Sequence, residues 1–229
     1  MKVELDLKQK LQYKVSEIFY SIQGEGPQLG MPAIFIRLSG CNLECPWCDS
    51  KYALHQGVHM KLEEIVEDIS AYGECPNVVI TGGEPMLQPL WDLIVSLLRI
   101  DKHIFIETNG TIYDPTLIGY ATFIVSPKIT TGITYKGNVV DSYRGNLKKW
   151  ATHSTFKFVI DTKDDLDEVV QFCSEVKPFN PVYLMPQATG EQEMKDKLLW
   201  LIDEVKNDYP RFRISPRLHI WLYGNRRGI

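Results

Sequence analysis

The stretch AIFIRLSGCNLECPWCDS, residues 33–50, runs from an apolar segment straight into a loop with three cysteines. Residues 33–38 are apolar at every position but Arg37, the pattern of a strand covered on both faces. Cys41, Cys45 and Cys48 follow with C-x3-C-x2-C spacing. In parallel α/β sheets, sites form at the carboxyl ends of the strands, which is where this loop begins.

The same phase recurs along the chain. TGGEP (81–85) follows the apolar run Val78–Ile80, and ETNG (107–110) follows Ile104–Ile106. SPK (126–128) follows Phe123–Val125, and PQ (186–187) follows Val182–Met185. Five polar or Gly-rich clusters at the same end of successive strands should converge on one concave site. Strand-like runs at 15–20, 33–38, 77–81, 103–107, 122–126, 155–160, 181–185 and 217–222 alternate with helical stripes at 61–72, 89–99 and 191–207. Asp164 is placed to N-cap a further helix carrying Leu166, Val169, Val170 and Cys173. Residues 129–150 are weakly patterned and read as an irregular excursion, with a short helix near 143–150. This alternation predicts βαβ units and a mainly parallel sheet: one α/β domain over residues 1–229, curved or barrel-like.

Bulk properties fit that frame. The 229 residues carry a net charge of −4, so no global basic footprint favours nucleic acid. The locally basic segments RFRISPR (211–217) and NRRGI (225–229) read as solvated surface. No targeting signal or membrane-length apolar run is visible. Three of five cysteines are clustered, which argues for a reducing, cytoplasmic setting and a metal or cluster site. Cys75 and Cys173 read as structural thiols.

Three thiolates on one loop can hold three irons of a [4Fe–4S] cluster and leave the fourth iron without a protein thiolate. The competing assignment is a Cys3His zinc site completed by His55 or His59. Structural zinc sites draw ligands as two separated pairs, and no second C-x2-C is present.

C-x3-C-x2-C with Trp47 before the last cysteine resembles the signature of the radical S-adenosylmethionine superfamily, and Gly82, Gly83 and Glu84 resemble its GGE motif. In that superfamily the open iron is chelated by the amino and carboxylate groups of the cosubstrate. The flanking text, FYSIQGEGPQLGMPAIFIRLSGCNLECPWCDS, is similar to the 7-carboxy-7-deazaguanine synthase family, and the likeness continues through TGGEP, ETNG, SPK and KF. The resemblance implies a partial TIM-like β/α barrel. It also implies a carbon–nitrogen lyase that contracts 6-carboxy-5,6,7,8-tetrahydropterin to 7-carboxy-7-deazaguanine with loss of ammonia, in 7-deazapurine (queuosine precursor) biosynthesis. The alternative within the superfamily is an activase of glycyl-radical enzymes, the ribonucleotide reductase type included.

The resemblance also assigns roles. Cys41, Cys45 and Cys48 would hold the cluster, and Ser50 would bind Mg²⁺. Gly82, Gly83, Glu84, Ser126, Pro127, Lys128 and Gln187 would contact S-adenosylmethionine. Ile22, Gln23, Gly24, Glu25, Arg37, Thr81 and His219 would contact the pterin. A guanidinium fork such as Arg37 suits a carboxylate. Glu107 and Asn109 are either ribose or substrate contacts or a strand-end turn. In some relatives the terminal carboxylate reaches the substrate; here ten residues follow His219, ending at Ile229. A flavodoxin-like reductase, a homodimer and no nucleic-acid or membrane partner complete the expectation.

Overall fold

The computed structural model describes residues 11–128, 134–135, 139–224 and 226–228, with backbone alone for 134–135 and 139–142. In chain order the strands are β1 (Gln12–Ile22), β2 (Pro32–Leu38), β3 (Leu43–Glu44), β4 (Val58–Lys61), β5 (Asn77–Gly82), β6 (His103–Thr108), β7 (Thr122–Val125), β8 (Thr134–Tyr135), β9 (Ser154–Ile160), β10 (Tyr183–Pro186) and β11 (Arg213–Ile214). The α-helices are α1 (Leu62–Ala71), α2 (Trp91–Leu98), α3 (Val139–Trp150), α4 (Lys163–Val176), α5 (Glu191–Asp208) and α6 (Leu218–Tyr223).

Nine strands form one sheet in the order β11-β10-β9-β7-β6-β5-β2-β1-β4. From β2 to β11 every pairing is parallel; β1 and β4 add an antiparallel edge. Among the described residues the sheet is not closed, so the barrel is partial, as expected. A small antiparallel ribbon, β3 with β8, ties the cysteine loop to the segment before α3.

The period-2 alternation of strands decides which face each side chain takes. Ile34, Ile36 and Leu38 of β2, Val78 and Ile80 of β5, Ile104 and Ile106 of β6, and Phe156, Phe158 and Ile160 of β9 join one core. The helices contribute Ile65 and Ile69, Leu93 and Leu97, Leu147 and Trp150, Leu166 and Phe172, and Leu201 and Val205 to it. The opposite, concave face carries a second apolar patch of Ala33, Phe35 and Val79, backed by Phe19, Met31 and Phe105. Toward the strand ends this face turns polar. Arg37 is in register with Thr81, and Val79 with Phe105, so Arg37, Thr81, Glu107 and Lys157 share one concave surface.

Three expectations are corrected. Residues 217–222 are not a strand: α6 occupies 218–223, and its Ile220 packs with Ala188 and Met194 instead of entering the sheet. The true last strand is β11, two residues long. Thr162, not Asp164, caps α4: its hydroxyl accepts from the Asp165 amide while the Asp165 carboxylate accepts from the Thr162 amide, a reciprocal box. The irregular excursion at 129–150 contains a full helix, α3, longer than the short one predicted.

Candidate active site

A cavity of about 400 Å³ opens over the carboxyl ends of the parallel strands. Cys41, Cys45 and Cys48 line it from the loop after β2, and Gly82 and Gly83 from the end of β5. Ser126 and Lys128 line it from the end of β7. The strand-end convergence foreseen from sequence is therefore real for four of its five clusters. Gln187, in the fifth, is not in the cavity wall: Lys197 donates to its side-chain oxygen at 3.1 Å, and its amide bonds the Ile160 carbonyl. Pro127 and Glu84 also stand behind the wall rather than in it.

Gly83 shows how closely the parts of this wall meet. A Cβ there would lie 2.2 Å from the Gly40 carbonyl oxygen and 2.9 Å from the Cys41 Cβ. The cysteine loop thus seats directly on backbone, and the Glu84 amide bonds the Gly40 carbonyl at 2.8 Å. Glu84 itself is fully buried. Its carboxylate takes the Asn109 amide at 2.6 Å, the Thr108 hydroxyl at 2.7 Å and the Met86 amide at 2.9 Å. Burial outweighs these bonds and pushes its pKa up to about 7.

The three thiols are unbridged and half-buried. Burial raises all three pKa values, that of Cys45 to about 11. Three soft donors on one loop, with the cavity in front of them, fit a cluster that keeps one iron open to a ligand. His55 and His59 are exposed and do not line the cavity with them, so the zinc alternative loses its fourth ligand. Lys128 lies 5.7 Å from the Trp47 ring and donates to the Ser126 carbonyl and hydroxyl.

The same cavity holds a charged lattice. Lys157 bridges Glu25 and Glu107, both at 2.8 Å. Glu107 also accepts from Gln23 and Thr81, each at 3.2 Å. Arg217 donates to Glu25 at 2.9 Å and to Asp49. Burial works against the Glu25 carboxylate, but Lys157 and Arg217 hold its pKa well below the usual range. His219, on α6, reaches Glu25 at 3.7 Å, and burial lowers its pKa. Gly24 packs against this imidazole; a Cβ there would stand 2.4 Å from Nδ1. Arg37 gives its Nε to Glu17 at 2.7 Å, and its Nη1 lies 3.4 Å from the Ser50 hydroxyl. Ser50 bonds Asp49 at 3.0 Å. Arg226, Arg227 and Gly228 line the cavity mouth; Arg227 bonds Glu17 at 2.9 Å and covers the Tyr52 ring at 4.1 Å. Ile229 lies outside the described residues.

Ile22, Gln23, Gly24, Glu25, Arg37, Thr81 and His219 all line this one cavity, as does Ser50. Sequence reasoning missed Asp49, Lys157 and Arg217 as parts of the site. Lys157 falls inside the strand-like run 155–160; its alternation against Phe156 and Phe158 was the available signal. Arg217 belongs to a segment read as solvated surface, yet it is 6% exposed, while Arg211 and Arg213 beside it are exposed.

A cavity at the ends of parallel strands, with three cysteines on the first loop and Gly-Gly-Glu on the next strand, defines a radical S-adenosylmethionine enzyme. The Radical SAM superfamily description matches residues 35–121. A 7-carboxy-7-deazaguanine synthase of Pyrobaculum aerophilum is 39% identical, with 94% of this chain and 96% of the relative covered. That of Hyperthermus butylicus is 37% identical, covering 90% and 91%. The chain belongs to the 7-carboxy-7-deazaguanine synthase family. In fold it is similar to the crystal structure of QueE from Escherichia coli: TM-score 0.71, 24% identity, 94% of this chain and 98% of that one covered. The superfamily implies a [4Fe–4S] cluster and S-adenosylmethionine, which the three thiols suit. The activase alternative is not favoured, since these relatives carry the synthase name.

Proposed function

We propose that this enzyme is a carbon–nitrogen lyase that converts 6-carboxy-5,6,7,8-tetrahydropterin to 7-carboxy-7-deazaguanine with release of ammonia. The observation that carries the reading is the juxtaposition, in one cavity, of the three-thiol loop, the Arg37 guanidinium and the Gln23–Glu107–Lys157–Glu25 lattice. When bound, the cluster and S-adenosylmethionine supply the hydrogen-abstraction chemistry.

The chain's own residues bind and orient. With Nε committed to Glu17, Arg37 turns its Nη edge toward Ser50 and the cavity, where it suits the substrate carboxylate. Ile22, Gln23, Gly24, Glu25 and Thr81 read the pterin edge, a mixed row of donors and acceptors. His219, held largely neutral by burial, can donate or accept there. Ser50 offers one hydroxyl to Mg²⁺, which keeps its other places for water and substrate oxygens. Gly82, Gly83, Ser126 and Lys128 meet the cosubstrate. Glu84, Pro127 and Gln187 serve the same side from behind the wall; Glu84 does so by holding Met86, Thr108 and Asn109. A flavodoxin-like reductase as electron source, a homodimeric assembly and a cytoplasmic location belong to the same proposal. Among the described residues no helix is long and apolar enough to cross a membrane.

The test is anaerobic turnover. Reconstituted, reduced enzyme with S-adenosylmethionine, Mg²⁺ and the tetrahydropterin should yield the deazapurine without stoichiometric loss of cosubstrate. Fully reconstituted enzyme that leaves the pterin unchanged would overturn the reading. Replacing Cys45 by Ala should abolish turnover.

A further inference from the structure

Arg217 stands where three otherwise separate parts of the site meet. Its Nε donates to Glu25, in the turn after β1, at 2.9 Å. Its Nη2 donates to Asp49, the residue directly after the last cysteine. Its Nη1 donates to the carbonyl of Ala188, in the loop after β10, at 3.1 Å. The side chain is 7% exposed, so the guanidinium end of each bond is shielded from water, although the Asp49 carboxylate is 43% exposed. Only a planar guanidinium presents donors in a fixed fork toward three such partners; an ammonium is a single point.

The surroundings sharpen the point. Ligand-type atoms of Glu25, Asp49 and His219 lie within 4.8 Å of one another, so two carboxylates, one on the turn after β1 and one on the cysteine loop, stand close together beside an imidazole of α6. Arg217 supplies the neutralising charge there. Lys157 reaches Glu25 from the other side but is not among the partners of Asp49. The cysteine loop is also seated through Gly40 on Gly83 and Glu84, through Asn42 on Asn109 and Thr111, through the β3–β8 ribbon and through Ser50 on Arg37, and none of these contacts engages the 22–26 turn. Arg217 bonds both the cysteine loop and that turn, and so joins them directly.

We propose that Arg217 is a positioning residue that fixes the cysteine loop, through Asp49, against the substrate-reading turn, through Glu25. This rests on the functional reading above for what the turn reads, but the link between the two loops does not. It fixes the spacing between the thiol-bearing loop and the pterin, and with it the distance over which hydrogen abstraction must occur.

The experiment compares wild-type enzyme with Arg217→Met, Arg217→Lys and, as a control from the same segment, the exposed Arg213→Met. All are reconstituted anaerobically, and iron content and melting temperature are recorded. Amide hydrogen exchange is followed at 22–26 and 45–50 without substrate, so that its outcome is independent of whether the pterin turns over. Arg217→Met should exchange on the order of tenfold faster in both loops, the change expected from one lost charge-assisted hydrogen bond. Arg217→Lys, limited to one partner at a time, should keep one loop protected and release the other. With the pterin, KM should rise by roughly tenfold for Arg217→Met, partly restored in Arg217→Lys. Arg213→Met should match wild type throughout. Should Arg217→Met fail to fold, Arg217→Lys alone decides. Wild-type exchange in both loops of the folded Arg217 variants overturns the proposal, as does a loss of turnover with exchange unchanged, which would make Arg217 a direct substrate contact.

Discussion

At the scale of single residues, the site is a problem of buried charge. Lys157, between Glu25 and Glu107, is almost wholly enclosed, and removing one member of such a set leaves the others uncompensated, at about 3–5 kcal/mol. The direction of the Glu25 shift fixes the pH dependence. Its folded pKa lies well below the ordinary value, so its contribution to stability is complete above roughly pH 4.5 and fades as pH falls through the folded value. Lys157→Met takes away the larger opposing charge and raises that pKa. The variant should be markedly less stable than wild type at pH 7, and the gap should narrow on acidification below about pH 4.5. Urea unfolding of both proteins across pH 3.5–7 reads this directly; a gap that widens toward acid would contradict it. The cysteines, Gly83 and Arg37 were legible in the sequence because their chemistry is unusual at their spacing. Lys157 and Arg217 were not, since a lone cation in an apolar strand or a basic segment announces no partner until the fold supplies Glu25, 132 residues away from the first and 192 from the second.

At the scale of elements, periodicity served long segments and failed short ones. Helices α1, α2 and α5 and strands β2, β5, β6 and β9 came through within a few residues, because each buries a full stripe or an alternating face. RLHIWL at 217–222 has equal claims to strand and helix over so few residues. Packing decides it: Ile220 finds Ala188 and Met194, and the Leu218 amide bonds the Gly24 carbonyl at 2.9 Å. That bond also brings His219 to the site, by a helix and not by the strand expected. The ribbons β3 and β8, two residues each, carry no readable period. The cap of α4 is testable here. Thr162→Ala removes the hydroxyl that accepts from Asp165, and should cost about 1 kcal/mol. The melting temperature should drop by about 2–4 °C, with turnover unaffected because α4 lies on the outer face.

At the scale of the whole molecule, the architecture was the most legible feature. Five polar clusters in one phase relative to the strands imply a parallel sheet whose ends meet, and four of them do meet in the cavity. The antiparallel edge of β1 and β4 was harder to see. β4 is four residues with Val58 exposed, so an apolar pattern never forms. The concave face is apolar around Phe35 and Val79 and charged toward the strand ends, so the cavity wall sets Phe19 and Phe35 beside Arg37, Glu107 and Lys157.

Arg227, laid over Tyr52 and bonded to Glu17, has a practical consequence for handling the enzyme. Arg227 and Gly228 line the cavity, so a bulky group placed at Gly228 would crowd it. A purification handle inserted directly after Gly228 should slow pterin entry and raise the apparent KM. Kinetics before and after proteolytic removal of the handle would register the difference, and an unchanged KM would contradict it.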